Sequence, residues 1–325
     1  MPVAGFGAFK RLSWDLPVRR EGARQFLTVR LRPRSMNTPI KPWYPDQTRN
    51  IGIVIQGPVG SSADFLYGTL DRYRHMWPFA NVVVSTWDDE SPEVLRNLER
   101  MGVSTILSQD PGLSGGLNLN RQIVSTRAGV DFLRRQGCAY VLKTRTDCRI
   151  YNERTLGALV SLLWRFPVAG SGSQQQRIIG SSLNTFLFRL YGLSDIFLFG
   201  AIEDMSTFWN VSLDSRDSIS LDSPNSHREH SLLRTSEVYL ASSFLEKTGW
   251  PLRWTLDDSL NAFQDRFIVV DNSSIDLLWR KYTVREDRWN STDSSVRTAE
   301  MTFFRWLTLD NLRQSVSEAL LDESW

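Results

Sequence analysis

The hydrophobic positions of the first half of the chain fall into short apolar runs separated by longer amphipathic segments. The runs are rich in β-branched residues and predict four strands, at 51–56, 81–87, 104–110 and 139–147. The intervening segments predict three helices, one ending near residue 77 and the others at 91–102 and 117–137. This alternation predicts an α/β fold with a mostly parallel central sheet and helices on both faces.

Beyond residue 150 the pattern is looser. It predicts strands at 196–200 and 267–271, two short helices near the end, and further helices at 153–164, up to Trp209 and at 236–250. The polar run 170–176 predicts an exposed loop. The Ser- and Asp-rich residues 212–236 predict a mobile loop, because they hold few apolar side chains to bury.

The charge of the chain is distributed unevenly. Residues 1–50 hold ten Lys or Arg against three Asp or Glu, a net of +7, whereas the rest holds 28 basic against 33 acidic residues, a net of −5. A mildly acidic main body argues against a nucleic-acid partner. The basic excess defines an N-terminal extension, residues 1–48, that we expect to be partly disordered. Residues 1–45 are predicted to contact an anionic membrane, with a plain solvated tail as the alternative.

The sequence predicts neither a membrane span nor an export signal. No segment is apolar for long enough to span a membrane, and residues 1–20 lack the apolar core of a signal peptide. We therefore expect a cytoplasmic protein, at most peripheral on the inner face of the plasma membrane. Cys138 and Cys148 flank one predicted strand, which would hold them too far apart for a disulfide.

Polar residues cluster where the predicted strands end. Because the carboxyl ends of parallel strands meet at one sheet edge, these residues are expected to contact the base and ribose of a nucleotide. Strand capping and turn formation explain the same residues equally well. In chain order they are Gln56, Gly57, Pro58, Thr86, Asp88 and Asp110.

The fourth predicted strand runs into charged residues. Lys143, Arg145, Asp147 and Arg149 alternate by two, so an extended segment would place them on one face. Three cations around one carboxylate suit a pyrophosphate, with or without a divalent ion on the Asp. A surface ladder of ion pairs is the alternative.

Two further groups of residues lie at predicted helix starts. Asn120 and Arg121 open the long helix, where free amides and the helix dipole favour an anion, although Asn120 is equally explained as an N-cap. Glu203, Asp204 and Glu237 are candidates for the carboxylate that takes a proton from an acceptor hydroxyl. Their alternative role is to stabilise the first turn of a helix.

Some enzyme classes lose their main support. The sequence has no G-x-G-x-x-G after the first strand, no P-loop and no G-x-S-x-G. These absences argue against a dehydrogenase, an NTPase and an α/β-hydrolase.

Seven motifs follow one another from about residue 50 to the carboxyl end: IVIQGPV, VVVSTWD, NLNRQIVSTRAGV, YVLKTRTDCRIYN, SDIFLFGAIEDM, SEVYLASSFLEKTGW and FIVVDNSSIDLLWRKY. Together they resemble the WavE-type family of lipopolysaccharide-synthesis glycosyltransferases. The resemblance implies a Rossmann-like glycosyltransferase fold of the A type, acting in the cytoplasm on a growing core oligosaccharide.

The resemblance also implies a metal site. In such folds a D-x-D motif at the end of the fourth strand holds a metal on the donor's diphosphate, and here Thr-Asp-Cys (146–148) occupies that place. Asp147 is therefore the expected ligand of Mg²⁺ or Mn²⁺. Neutralisation of the phosphates by Lys143 and Arg145 is the alternative. The family's fold further suggests that Glu203-Asp204 or Glu237 faces the acceptor.

The sequence as a whole predicts a hexosyltransferase-like enzyme. It would move a sugar from a nucleotide-sugar donor onto a lipopolysaccharide core or another surface polysaccharide. Residues 49–170 are expected to bind the nucleotide sugar, and residues 171–325 of the same fold an oligosaccharide or lipid-linked glycan acceptor. A sugar nucleotidyltransferase and a catalytically inactive carbohydrate-binding protein of the same fold are the alternatives.

Overall fold

The computed structural model describes residues 50–170, 172–221, 224–280 and 300–322. The basic extension predicted at 1–48, and with it the predicted membrane contact, lies outside the described residues.

The first half of the chain forms the predicted alternation of strands and helices. Ser91 caps the helix Pro92–Arg100 by accepting the N–H of Glu93, and Pro92 takes the first helical position, as the sequence predicts. The strand expected at 139–147 is shorter than predicted, because residues 146–147 form a turn. The elements are β1 (Ile51–Gln56), α1 (Ala63–Met76), β2 (Asn81–Trp87), α2 (Pro92–Arg100), β3 (Ser104–Ser108), α3 (Leu119–Arg135) and β4 (Tyr140–Arg145).

The second half adds strands that the sequence did not predict. Two of them, Cys148–Ile150 and Leu277–Trp279, pair with each other in a separate two-stranded sheet. The strand Ile178–Ser181 and the helix Leu256–Arg266 were also missed. Two short helices lie near the end of the chain as expected, and a 3₁₀ helix, Glu318–Leu321, follows them. The elements are β5 (Cys148–Ile150), α4 (Thr155–Arg165), β6 (Ile178–Ser181), β7 (Leu198–Ala201), α5 (Ile202–Trp209), α6 (His227–Leu232), α7 (Ser236–Lys247), α8 (Leu256–Arg266), β8 (Phe267–Val270), α9 (Asn272–Ile275), β9 (Leu277–Trp279), α10 (Phe303–Leu307) and α11 (Leu309–Ser315).

Seven strands form the central sheet in the order β3-β2-β1-β4-β7-β6-β8. β7 runs antiparallel to both of its neighbours, and the other four pairings are parallel. All residues of β1, β6 and β8 are buried, as expected for strands covered on both faces. The prediction of a mostly parallel α/β sheet is confirmed.

Helices cover both faces of the sheet for a topological reason. β1, β2 and β3 step outward in one direction, whereas the connection from β3 to β4 returns across them. Because crossovers between parallel strands are right-handed, α1 and α2 lie on one face and α3 on the other. Gly129 lets α3 approach the sheet closely, since a Cβ there would lie 2.7 Å from Cγ1 of Val54.

The expectation of a mobile loop at 212–236 is wrong for 227–232, which form α6. Ser226 caps this helix through its side chain. Polar contacts replace the apolar ones that the segment lacks: Asp214 is buried, and Arg228 pairs with carboxylates of Glu318 and Asp322. The composition of the segment shows that it has few apolar side chains, but it does not show the ionic contacts that hold the segment in place.

The two cysteines are both buried and free, so the prediction that they form no disulfide is confirmed.

Candidate active site

The carboxyl ends of β1 and β4 are joined by a hydrogen-bonded turn. Thr146 donates its backbone N–H to the carbonyl of Gln56 (3.0 Å) and its hydroxyl to the carbonyl of Pro58 (2.8 Å). Gly57 permits this close approach, because its φ is 125° and a Cβ there would lie 3.1 Å from the Thr146 hydroxyl. Of the three residues predicted to hold the donor here, Gln56 and Gly57 are buried and Pro58 is exposed.

Arg145 and Asp147 form a bidentate ion pair at this edge. Arg145 donates from Nε to Oδ1 (2.8 Å) and from Nη2 to Oδ2 (3.1 Å), and Trp279 donates from Nε1 to Oδ2 (3.0 Å). Burial opposes ionisation, but the hydrogen bonds from Arg145 and Trp279 outweigh it and lower the pKa of Asp147. Burial also opposes the Arg145 charge, and Asp147 nevertheless raises the pKa of Arg145. The side chains remain 27% and 18% exposed, so a ligand can reach them.

Lys143 does not join this ion pair. Its side chain is fully buried on β4, where Nζ donates to the backbone carbonyl of Asp195 and lies 5.1 Å from the ring centroid of Trp209. Burial is the main reason that the pKa of Lys143 falls to about 8. A group with no exposed surface cannot bind a diphosphate directly. The prediction that Lys143 contacts the donor is therefore wrong, and Lys143 is a buried charge behind the site.

Arg149 is likewise directed elsewhere. It donates from Nε to the hydroxyl of Thr69 (2.9 Å) on α1 and its guanidinium lies 4.2 Å from the ring centroid of Phe65. The turn at 146–147 interrupts the strand, so the alternation by two does not continue through it. The expected group of three cations around Asp147 is therefore wrong, and Arg145 forms its ion pair.

Asp195 is a buried carboxylate beside the ion pair that the sequence reading missed. It precedes β7, whose first residue Leu198 pairs with Lys143, so Asp195 lies level with the carboxyl end of β4. Burial, and then the charge of Glu237, raise the pKa of Asp195, whereas Lys143 and Arg145 oppose this effect. The available signal was its position directly before the apolar run of β7.

Glu237 opens α7 at the same edge. Asn184 donates a hydrogen bond to its Oε1, and Arg189 lies 3.7 Å from its Oε2. Both partners follow β6, which runs parallel to β4 through the intervening antiparallel strand. Glu237 is therefore the one of the three predicted carboxylates that the fold brings to the Arg145–Asp147 edge.

Glu203 and Asp204 lie at the opposite edge of the sheet. Their helix α5 begins directly after Ala201, which pairs with Tyr140 at the amino end of β4. Five residue steps along β4 separate this point from Arg145, about 17 Å at the usual strand rise. Their assignment to a common catalytic site with Asp147 is therefore wrong.

The partners of these two carboxylates are structural. Glu203 forms an exposed ion pair with Arg134 (2.7 Å). Asp204 is buried and accepts the backbone N–H groups of Gln175 (2.9 Å) and Gln176 (2.8 Å), which fixes the loop before β6. Burial raises the pKa of Asp204 in spite of these two hydrogen bonds.

The start of α3 is held by a carboxylate of the protein itself. Asp214 accepts the N–H of Gly116 (3.0 Å), and its own N–H donates to Oδ1 of Asn120 (2.6 Å). Asn120 is fully buried inside the first turn and is neither the N-cap, which is Asn118, nor open to an anion. The prediction that Asn120 contacts the donor is therefore wrong, because its side chain forms hydrogen bonds that join α3 to residue 214.

The remaining predicted donor residues divide by exposure. Thr86 is buried on β2, whereas Asp88 is exposed directly beyond it. Asp110 and Arg121 form an exposed ion pair of 2.7 Å beyond β3, and the hydrogen bond from Arg121 lowers the pKa of Asp110. The exposed members of the set share the carboxyl edge with Arg145, and their donor contacts remain predictions.

A divalent metal at Asp147 remains a prediction that the described residues do not favour. Both oxygens of this carboxylate already accept hydrogen bonds from Arg145 and Trp279. Within residues 50–170, 172–221, 224–280 and 300–322, no three His, Cys, Asp or Glu side chains are grouped to hold an ion. The guanidinium of Arg145 already supplies the positive charge that a metal ion would supply next to Asp147. The function proposed below therefore uses no metal ion.

Comparison with known proteins decides the family. The family model for WavE lipopolysaccharide synthesis matches residues 51–251, which is more than half of the chain and contains the Arg145–Asp147 edge. The chain belongs to the WavE lipopolysaccharide synthesis family. No curated protein matches this WavE chain.

Solved structures similar to the WavE chain are distant. A cytidylyltransferase from Leptospira borgpetersenii serovar Hardjo-bovis is 11% identical, with a TM-score of 0.37 over 85% of this chain and 98% of its own. The galactosyltransferase LgtC, solved with donor and acceptor sugar analogues, is 13% identical, with a TM-score of 0.32 over 82% and 96%. At these scores the likeness carries no inference about activity.

No helix of the described residues is long and apolar enough to cross a membrane.

Proposed function

We propose that this WavE protein transfers a sugar from a nucleotide-sugar donor onto a lipopolysaccharide core or another surface polysaccharide. The observation that carries the proposal is the Arg145–Asp147 pair, which stands partly exposed where β1 and β4 end, next to the buried carboxylate of Asp195. Ligands of parallel α/β sheets bind at this edge. Family membership supports a role in lipopolysaccharide synthesis.

Arg145 is proposed to hold the donor's diphosphate. Asp147 takes its Nε and Nη2, and no described residue accepts a hydrogen bond from Nη1, which leaves that end of the guanidinium for a phosphate oxygen. The raised pKa keeps Arg145 charged as the diphosphate departs. A fixed cation at this position stabilises the negative charge that develops on the leaving group.

Glu237 and Asp195 are proposed to serve the acceptor. One of them takes the proton from the attacking hydroxyl, which binds between α7 and the carboxyl end of β4. Glu237 is anchored by Asn184 and Arg189, and the pKa of Asp195 is raised toward the range in which a carboxylate serves as a general base. The inverting mechanism that such a base implies belongs to the proposal.

The donor site is tested by binding. Thermal unfolding is measured with a panel of UDP-, GDP-, ADP- and CMP-sugars for the wild type, Arg145→Ala and the control Arg134→Ala, whose side chain lies at the opposite edge. A donor at 100 times its Kd adds about 2.7 kcal/mol of stability, and we expect this gain in the wild type and the control. An equal gain in Arg145→Ala would show that the diphosphate binds elsewhere.

A further inference from the structure

A polar pocket lies at the amino edge of the sheet. It has a volume of about 350 Å³, within the range of small-ligand sites. Its walls come from one face of α8, from the segment before that helix and from Gly170. Arg266 directly precedes β8, which runs parallel to β4 through β6 and β7, so the pocket opens opposite the Arg145–Asp147 edge. We call it the Trp250 pocket, lined by Trp250, Arg253, Asp258, Asn261, Asp265 and Arg266.

Several hydrogen-bonding groups of this pocket are unused by the described protein. The guanidinium of Arg253 and the carboxylate of Asp265 have no hydrogen-bonded side-chain partner within the described ranges. The hydrogen bonds that Asp258 accepts from described residues all end at Oδ2, and they come from Tyr191 (2.6 Å), Trp250 (3.3 Å) and the N–H of Arg253 (3.2 Å). Donors and acceptors therefore face the same cavity with capacity left for a ligand.

The charges of the pocket select the kind of ligand. Two cations, Arg253 and Arg266, and two carboxylates, Asp258 and Asp265, line one small space. A phosphate would meet the carboxylates and a metal ion would meet the guanidinium groups, so both pay a repulsion that a neutral molecule avoids. A molecule with many hydroxyl groups can use both signs, since each hydroxyl donates and accepts.

The ring of Trp250 supplies the apolar part of the site. It is half-buried, and it is held in place by Asp258 at Nε1 and by Arg266, whose guanidinium lies 5.4 Å from the ring centroid. Gly170 and Gly249 border the cavity with φ of 75° and 91°, so no side chain projects from these points. We propose that the Trp250 pocket binds a neutral saccharide. This binding is independent of the proposed transfer reaction and would also occur in an inactive protein.

The test is saturation-transfer NMR with a panel of glucose, galactose, N-acetylglucosamine, lactose and maltotriose. At least one of these is expected to bind the full chain and to quench Trp fluorescence on titration. Arg253→Ala and Asp265→Asn each remove a charged hydrogen-bonding partner, and each should weaken Kd by about tenfold or more.

Three controls locate the binding. Asp257→Asn makes the same chemical change on the same helix at a carboxylate that pairs with Arg313 outside the pocket, and it should bind as the wild type. Arg145→Ala should also bind normally, which separates this pocket from the donor edge. Binding of no saccharide in the panel, equal affinity in Arg253→Ala and Asp265→Asn, or displacement of the saccharide by inorganic phosphate would each overturn the proposal.

Discussion

Replacement of Lys143 by Met tests whether a buried ammonium group stands behind the candidate active site. Lys143 has no exposed surface, and its charge is balanced by a backbone carbonyl, the ring of Trp209 and the nearby Asp195. Burial lowers the pKa of this lysine from 10.5 to about 8. Met has a similar length and removes the charge.

The magnitude follows from the pKa. The unfolded chain keeps the Lys143 proton up to pH 10.5, whereas the folded chain releases it near pH 8. Between these values the unfolded state binds more protons, so the free energy of unfolding rises with pH. A fall in pKa from 10.5 to about 8, at about 1.4 kcal/mol per pH unit, corresponds to roughly 3 to 4 kcal/mol of destabilisation, which is complete well below pH 8 and is relieved toward pH 10.5.

Urea unfolding of the wild type and Lys143→Met at several values between pH 7.5 and 10.5 measures this effect. Other titrating groups cancel in the difference between the two proteins. From pH 7.5 to 10.5, the free energy of unfolding of the wild type should rise by about 3 kcal/mol relative to that of Lys143→Met. Replacing exposed Lys247 by Met is the matched control, with a change within about 0.5 kcal/mol. A wild-type–variant difference that is flat with pH would refute a buried, depressed lysine.

Three further predictions concern the two sheet edges and the extension. Asp147→Asn should lower turnover by about two orders of magnitude, because it removes the partner that orients Arg145, and near-normal turnover of the folded variant would sink the assignment. Glu237→Gln should lower turnover similarly while Glu203→Gln stays within about twofold, and the reverse order would place the base at the other edge. Deleting residues 1–45 should weaken binding to anionic vesicles in a salt-sensitive way, whereas unchanged binding would favour a plain solvated tail.

Much of the central sheet could be predicted from the sequence, because β1 and β2 contain buried apolar runs and α2 has a Ser-Pro start and a Gly stop. Asp147 could also be predicted as a site residue, because it lies at the end of the fourth predicted strand. Short strands such as β5, β6 and β9 span only three or four residues, so no periodicity distinguishes them from loop.

The misplacement of the candidate carboxylates has one physical cause. Residues that follow a parallel strand lie at the carboxyl edge, but β7 is antiparallel, so the rule reverses there. Glu203 and Asp204 follow β7 and therefore lie at the amino edge, whereas Asp195 precedes it and lies beside Arg145. A single sequence gives strand positions without strand directions, and direction decided which carboxylate joined the site.

Burial was the other property that the sequence left open. Lys143 and Arg145 lie two positions apart on β4 and therefore on the same face of the strand. Lys143 is nevertheless fully buried, whereas Arg145 is partly exposed. Asn120 similarly looked like a helix cap and turned out to be a buried staple to Asp214. These outcomes depend on α5 and residue 214 packing over α3 and β4, which are far apart in sequence.

Product analysis after incubation with donor and acceptor tests the central claim most directly. The protein is incubated with the nucleotide sugar that stabilises it and with a core-oligosaccharide acceptor, and products are identified by mass spectrometry. Sugar transfer predicts an acceptor heavier by one sugar residue and an equal amount of released nucleotide, both lost in Asp147→Asn. A parallel reaction contains a nucleoside triphosphate and a sugar phosphate instead of the nucleotide sugar. Pyrophosphate formed in that reaction, with the acceptor unchanged in the first, would contradict the account and identify a nucleotidyltransferase.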